Sequence, residues 1–132
     1  DDRMITEDQQ EKLYPLTLHP KFGKLLISAM KTWETTIPFQ QTYGVTRYNH
    51  GRFPSNWEIH KDRDRCCCLI GASVVGKKFS ESVVSEASNA FHLSEIEIRA
   101  IIQGFDSSEF NDDNEAFQFG KKVSEIVIRK RH

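Results

Sequence analysis

The sequence has no apolar run of about 18 residues, the least a helix needs to cross a bilayer. It also lacks a basic start followed by an apolar stretch, so neither a membrane span nor a signal peptide is expected, and no membrane partner. Cysteine is not distributed along the chain: the three that occur, Cys66, Cys67 and Cys68, are consecutive. Sequence neighbours cannot form an ordinary disulfide, which needs Cα atoms about 4.4 to 6.8 Å apart and suitably directed side chains. A disulfide scaffold is thereby excluded, and a reducing, cytoplasmic compartment is expected. Charge of one sign is missing too, with 18 Lys and Arg against 19 Asp and Glu and a formal net charge of -1. No global attraction to phosphate exists, so nucleic acid would have to be met by a local patch. Internal repeats and low-complexity tracts are absent.

What is present fits one helical domain. A chain of 132 residues buries enough surface for one core, and nine phenylalanines supply much of it. Residues 1–18 read as an acidic short helix or arm broken at Tyr14-Pro15. Phe22, Leu25, Leu26, Ala29, Met30 and Trp33 recur at three- and four-residue spacing, which predicts a helix over residues 20–35 with Lys21, Lys24 and Lys31 outside. Residues 67–75 form an apolar, small-residue run read as a buried helix, and Val83, Val84, Ala87 and Phe91 predict a second. Ser94 and Glu97 form a capping box for the next, with Leu93 placed to staple onto Ile98. That helix is expected to stop at Gly104 in a left-handed cap, with Phe105 folding back. Asp113 or Asn114 caps a last helix that turns Phe117, Gly120, Val123, Ile126 and Val127 inward, and the basic residues 129–132 suit its C-terminus. The expected fold is mainly α, a compact bundle of about five helices in one domain spanning residues 1–132.

Residues 36–65 break this pattern. Pro38, Gly44, Gly51 and Pro54 punctuate them, and weak alternation around Asn49-His50-Gly51 is compatible with a small β-hairpin or an irregular excursion. Connections this long are uncommon in small domains and are often functional. Tyr43, Arg47, Tyr48, Arg52, Phe53, Trp57 and His60 are of the residue types that anchor protein interfaces, which makes this excursion the expected contact with another protein. The same aromatics, with His50, Lys61, Arg63 and Arg65, also suit stacking on single-stranded nucleic acid, although Glu58, Asp62 and Asp64 dilute the charge.

Other constellations point to chemistry less completely. Gly71-Ala-Ser-Val-Val-Gly76-Lys77-Lys78 matches the phosphate-binding loop except at the last position, where Lys78 replaces the hydroxyl that binds Mg²⁺. Gly71, Gly76 and Lys77 therefore mark a nucleotide site only as an alternative, and small residues at a helix crossing explain the string as well. Residues 87–103 carry apolar positions at helix-turn-helix spacing, but Glu95 and Glu97 would front the reading helix and repel phosphate. No Cys-x-x-Cys pair exists, and three consecutive cysteines cannot all reach one ion even with His50, His60 or His92 nearby, so no metal is expected. The acidic turn from Asp106 to Asp113 has no glycine at the bend a calcium loop requires. No hydrolase signature is recognisable among the five histidines, so no catalytic residue and no cofactor is assigned.

The order Cys68-Leu-Ile-Gly71-Ala72, Gly104-Phe-Asp106 and Phe117-x-x-Gly120 resembles small helical proteins encoded by bacteriophages and bacteria. The resemblance covers residues 65–121. It implies a compact helical fold and a phage or prokaryotic accessory protein, with no activity attached and no catalytic residue transferred. The resulting expectation is a non-enzymatic accessory protein that binds another protein, with nucleic acid or nucleotide binding as the alternative class and homo-oligomerisation left open.

Overall fold

A computed structural model of the chain describes residues 5–40, 66–74, 82–107 and 111–128. They form six helices and one strand pair in the order α1 (Glu7–Thr17), α2 (Gly23–Thr32), β1 (Ile37–Pro38), β2 (Cys66–Cys67), α3 (Leu69–Ser73), α4 (Val83–Phe91), α5 (Glu95–Asp106) and α6 (Glu115–Val127). The mainly helical expectation holds. The strands pair in parallel, Ile37 with Cys66 and Pro38 with Cys67. The hairpin expected around residues 49–51 lies outside the described residues.

The core is built around α3, a helix of five residues that is buried throughout. So short a helix leaves nearly all its terminal amides and carbonyls without intrahelical partners, and buried polar groups left unpaired cost about 1–3 kcal/mol each. Its neighbours supply the partners. The Cys68 sulfur accepts from the Gly71 amide at 3.4 Å, capping the N-terminus. At the other end, the Ser28 and Thr32 hydroxyls of α2 donate to the Ser73 and Ala72 carbonyls, each at 2.7 Å. The buried Ser73 hydroxyl turns back to the Ile70 carbonyl. The polar positions of α2 that face inward therefore complete α3, while Phe22, Leu25, Leu26, Ala29 and Trp33 form its buried stripe as the spacing predicts.

Four expectations need correction. The buried helix expected over residues 67–75 is confined to Leu69–Ser73, with Cys67 paired to Pro38 in β2. The helix expected from residue 20 begins at Gly23, because His19 folds over the start: its Nδ1 accepts from the amides of Lys21 and Phe22 at 3.0 and 3.1 Å. Pro15 does not break α1. It sits in the last turn, where losing one amide removes a single bond, and the helix runs on to Thr17. Gly104 does not end α5, which continues to Asp106. A side chain at Gly104 would run into the Phe117 backbone of α6, and one at Gly120 into the Ile101 backbone of α5. The two glycines let α5 and α6 cross with backbones nearly touching, so Phe105 remains helical and stacks on Trp33 with ring centroids 6.1 Å apart.

The N-terminal caps expected at Ser94 for α5 and at Asn114 for α6 are present, and Ser82 supplies an unexpected one for α4. Ser94 and Glu97 form the capping box of α5. Apart from these, α1 is held by little: Leu13 is its one buried residue, and Gln9 Nε2 donates to the Ile126 carbonyl near the end of α6 at 3.1 Å.

Candidate functional site

Tyr43, Arg47, Tyr48, Arg52, Phe53, Trp57 and His60, the expected partner-binding residues, lie outside the described residues, as do Gly76 and Lys77. The structure does describe where the excursion is rooted. The Cys67 carbonyl accepts from both the Phe39 amide at 3.1 Å and the Trp33 indole at 3.2 Å. Trp33 is fully buried, so this carbonyl is fixed to the core. On the outgoing side, Gln40 Nε2 donates to the Phe105 carbonyl at the end of α5, at 2.8 Å, and lies 3.3 Å from the Ser124 hydroxyl of α6. The described residues on either side, Ile37 to Gln40 and Cys66 to Cys67, thus meet at one place, bonded to core helices.

Gly71 occupies the third position of α3, buried, with its amide directed at the Cys68 sulfur. A phosphate loop needs that amide open at a strand-to-helix turn, and here it is a helix-capping donor. The cysteines are similarly occupied. Cys67 and Cys68 are both buried. Burial pushes the Cys68 thiol up to about 12, so it stays protonated and serves as a small apolar group whose sulfur accepts from the Gly71 amide. Among the described residues no cluster of three or more His, Cys, Asp or Glu is placed to hold a metal ion.

Helices α4 and α5 follow one another through a short turn. Three residues join them, His92 adopts a left-handed conformation (φ 56°, ψ 44°), and the Ser88 hydroxyl donates to the Leu93 carbonyl at 2.6 Å. Of the positions a helix-turn-helix would bury, Ala87, Leu93, Ile98 and Ile101 are buried and Phe91 is half-buried, a pattern that two ordinary packed helices also give. Glu97, however, pairs with Lys21, and Glu95 with Arg99 at 3.6 Å, so the front of α5 shows no surplus positive charge.

The described surface that stands out lies between α1 and α2. A groove of about 460 Å³ is lined by Ile5, Tyr14, Thr17, Ile27 and Met30, with Gln10, Lys31 and Glu34 completing it. Tyr14 is 62% exposed and Ile27 54%. Sequence reasoning passed over both, yet a signal exists. On α2 Ile27 shares a helical face with Lys24 and Lys31, three and four residues away, so it is an apolar residue on the polar side. Among the described residues no helix is long and apolar enough to cross a membrane.

Comparison of the chain with protein-family models, with curated proteins and with solved structures returns no match. The resemblance noted for residues 65–121 gains no support from it.

Proposed function

We propose that this chain is a non-enzymatic protein-binding domain. The observation that carries the reading is the apolar groove between α1 and α2, with Tyr14 and Ile27 exposed on it and Lys31 and Glu34 at its edge. A groove between two helices with an apolar floor is the form that receives an amphipathic helix, read by apolar residues at i, i+3 or i+4, and i+7. Its edge carries one charge of each sign, which suits a mixed polypeptide surface better than a polyanion. Residues 43–60 are the second contact on this reading, with Tyr43, Arg47, Tyr48, Arg52, Phe53, Trp57 and His60 as anchors. A cytoplasmic setting belongs to the same proposal and rests on the three consecutive cysteines, which as sequence neighbours cannot form an ordinary disulfide. A role as a phage or prokaryotic accessory protein rests on the resemblance alone.

A second reading, single-stranded nucleic acid, is favoured by the basic and aromatic residues interleaved from Arg47 to Arg65. Nucleotide binding through Gly71, Gly76 and Lys77 has less behind it, given the capping role of the Gly71 amide.

Affinity capture from cell extract distinguishes these readings, using wild type, Ile27→Asp, and Trp57→Ala with Arg52→Ala, each with and without nuclease. The protein-binding reading expects a polypeptide retained by wild type after nuclease and lost from Ile27→Asp. Capture that disappears with nuclease transfers the function to nucleic acid.

A further inference from the structure

We propose that the exposed face of α5 around Ile96 is a self-association surface, on which two copies of this chain pair about a two-fold axis. Ile96 is 78% exposed, the most exposed of the large apolar residues described. Beside it lies a hollow of about 280 Å³ lined by Ala100, Gln103, Asp112 and Phe117 as well as Ile96 and Arg99. A protruding apolar side chain next to a hollow on the same face is self-complementary in shape, the condition for a two-fold interface.

The charges are self-complementary as well. Glu95 and Arg99 flank Ile96, and their contact within one helix is long, 3.6 Å, between half-exposed side chains. Such a pair is worth little where it stands, so exchanging it across an interface costs little. An antiparallel arrangement that sets Glu95 of one copy against Arg99 of the other satisfies both pairs. It also brings the two Ile96 residues within about 3 Å of each other along the helix direction, given the 1.5 Å rise per residue. A net charge of -1 adds almost no repulsion between copies. A foreign polypeptide would need its own matching array, and duplex DNA would meet Glu95 at the helix start, so a second copy is the occupant these observations favour.

Sedimentation velocity of the full chain over a concentration series tests this, with Glu95→Arg, Arg99→Glu, and the two variants mixed in equal amounts. Wild type should self-associate, and each single reversal should weaken association at least about ten-fold. The mixture should recover it to within about three-fold, because the arginine introduced at position 95 of one variant then faces Arg99 of its own kind no longer, but the glutamate introduced at position 99 of the other. Circular-dichroism melts establish that each variant is folded. Should Glu95→Arg melt early, Ile96→Asp replaces it and should abolish association. A wild type that stays monomeric to about 1 mM, reversals without effect, or a mixture that fails to recover overturns the proposal. So does a monomeric wild type whose α5 variants lose binding to a DNA duplex or to another protein.

Discussion

Gly104 and Gly120 face each other across the crossing of α5 and α6, each lying where a Cβ would strike the other helix's backbone. Close approach of this kind cannot be relieved by rotating a side chain, because what stands in the way is the Phe117 or the Ile101 carbonyl. Overpacking typically costs about 1–3 kcal/mol, and alanine returns about 1 kcal/mol of helix propensity. Gly104→Ala and Gly120→Ala are each expected to lose up to about 3 kcal/mol in urea unfolding. The double variant should lose less than the sum, since the first alanine already separates the helices. Additive or negligible losses would contradict the crossing.

The buried Cys68 thiol gives the domain an alkaline limit. Its folded value is raised to about 12 by burial, against 9.0 for the free group. Between those values the folded state holds a proton that the unfolded chain has released, so stability falls as pH rises through the window. The limiting slope is about 1.4 kcal/mol per pH unit. Cys68→Ser keeps an acceptor for the Gly71 amide and removes this titration. Unfolding measured from about pH 8 to 11, into that window, should show the alkaline loss shrink in the variant, and an unchanged slope would rule Cys68 out as its source.

Helix α1 buries less of itself than the other described helices. Leu13 is its only buried residue, so Leu13→Ala, at about 2–5 kcal/mol, removes the main apolar anchor of α1. Hydrogen exchange should show α1 amides losing protection in the variant while α5 and α6 keep theirs. Uniform loss across all helices would mean that α1 unfolds only with the whole domain.

His92 takes the left-handed conformation between α4 and α5, where a side chain costs about 1–2 kcal/mol relative to glycine. Glycine loses more entropy on folding, which offsets part of the gain. His92→Gly should therefore raise the thermal midpoint slightly, by up to about 1 kcal/mol of stability. A fall would show that the exposed imidazole makes a contact that stabilises the turn.

The fold is largely legible because helical periodicity and caps are local signals: the α2 stripe, the Ser94 and Glu97 box and the Asn114 cap are each written within a few residues. Gly104 misleads because a glycine at a helix end and one at a helix crossing look the same without the partner helix. The shortness of α3 escapes the sequence for a related reason, since its completion by Ser28 and Thr32 comes from residues far away along the chain. As for the site, Ile27 is legible as an apolar residue on a polar face. Tyr14 is not, because its exposure depends on how α1 leans on α2.

Whether the domain binds protein is decided by photo-crosslinking in cells. Benzoylphenylalanine replaces Ile27 in one variant, Trp57 in a second, and the exposed Asn89 on α4 in a control. A protein-binding domain gives a discrete, nuclease-resistant polypeptide adduct from position 27 or 57 and none from position 89. No adduct from either position, or one that disappears on nuclease treatment, would contradict that function.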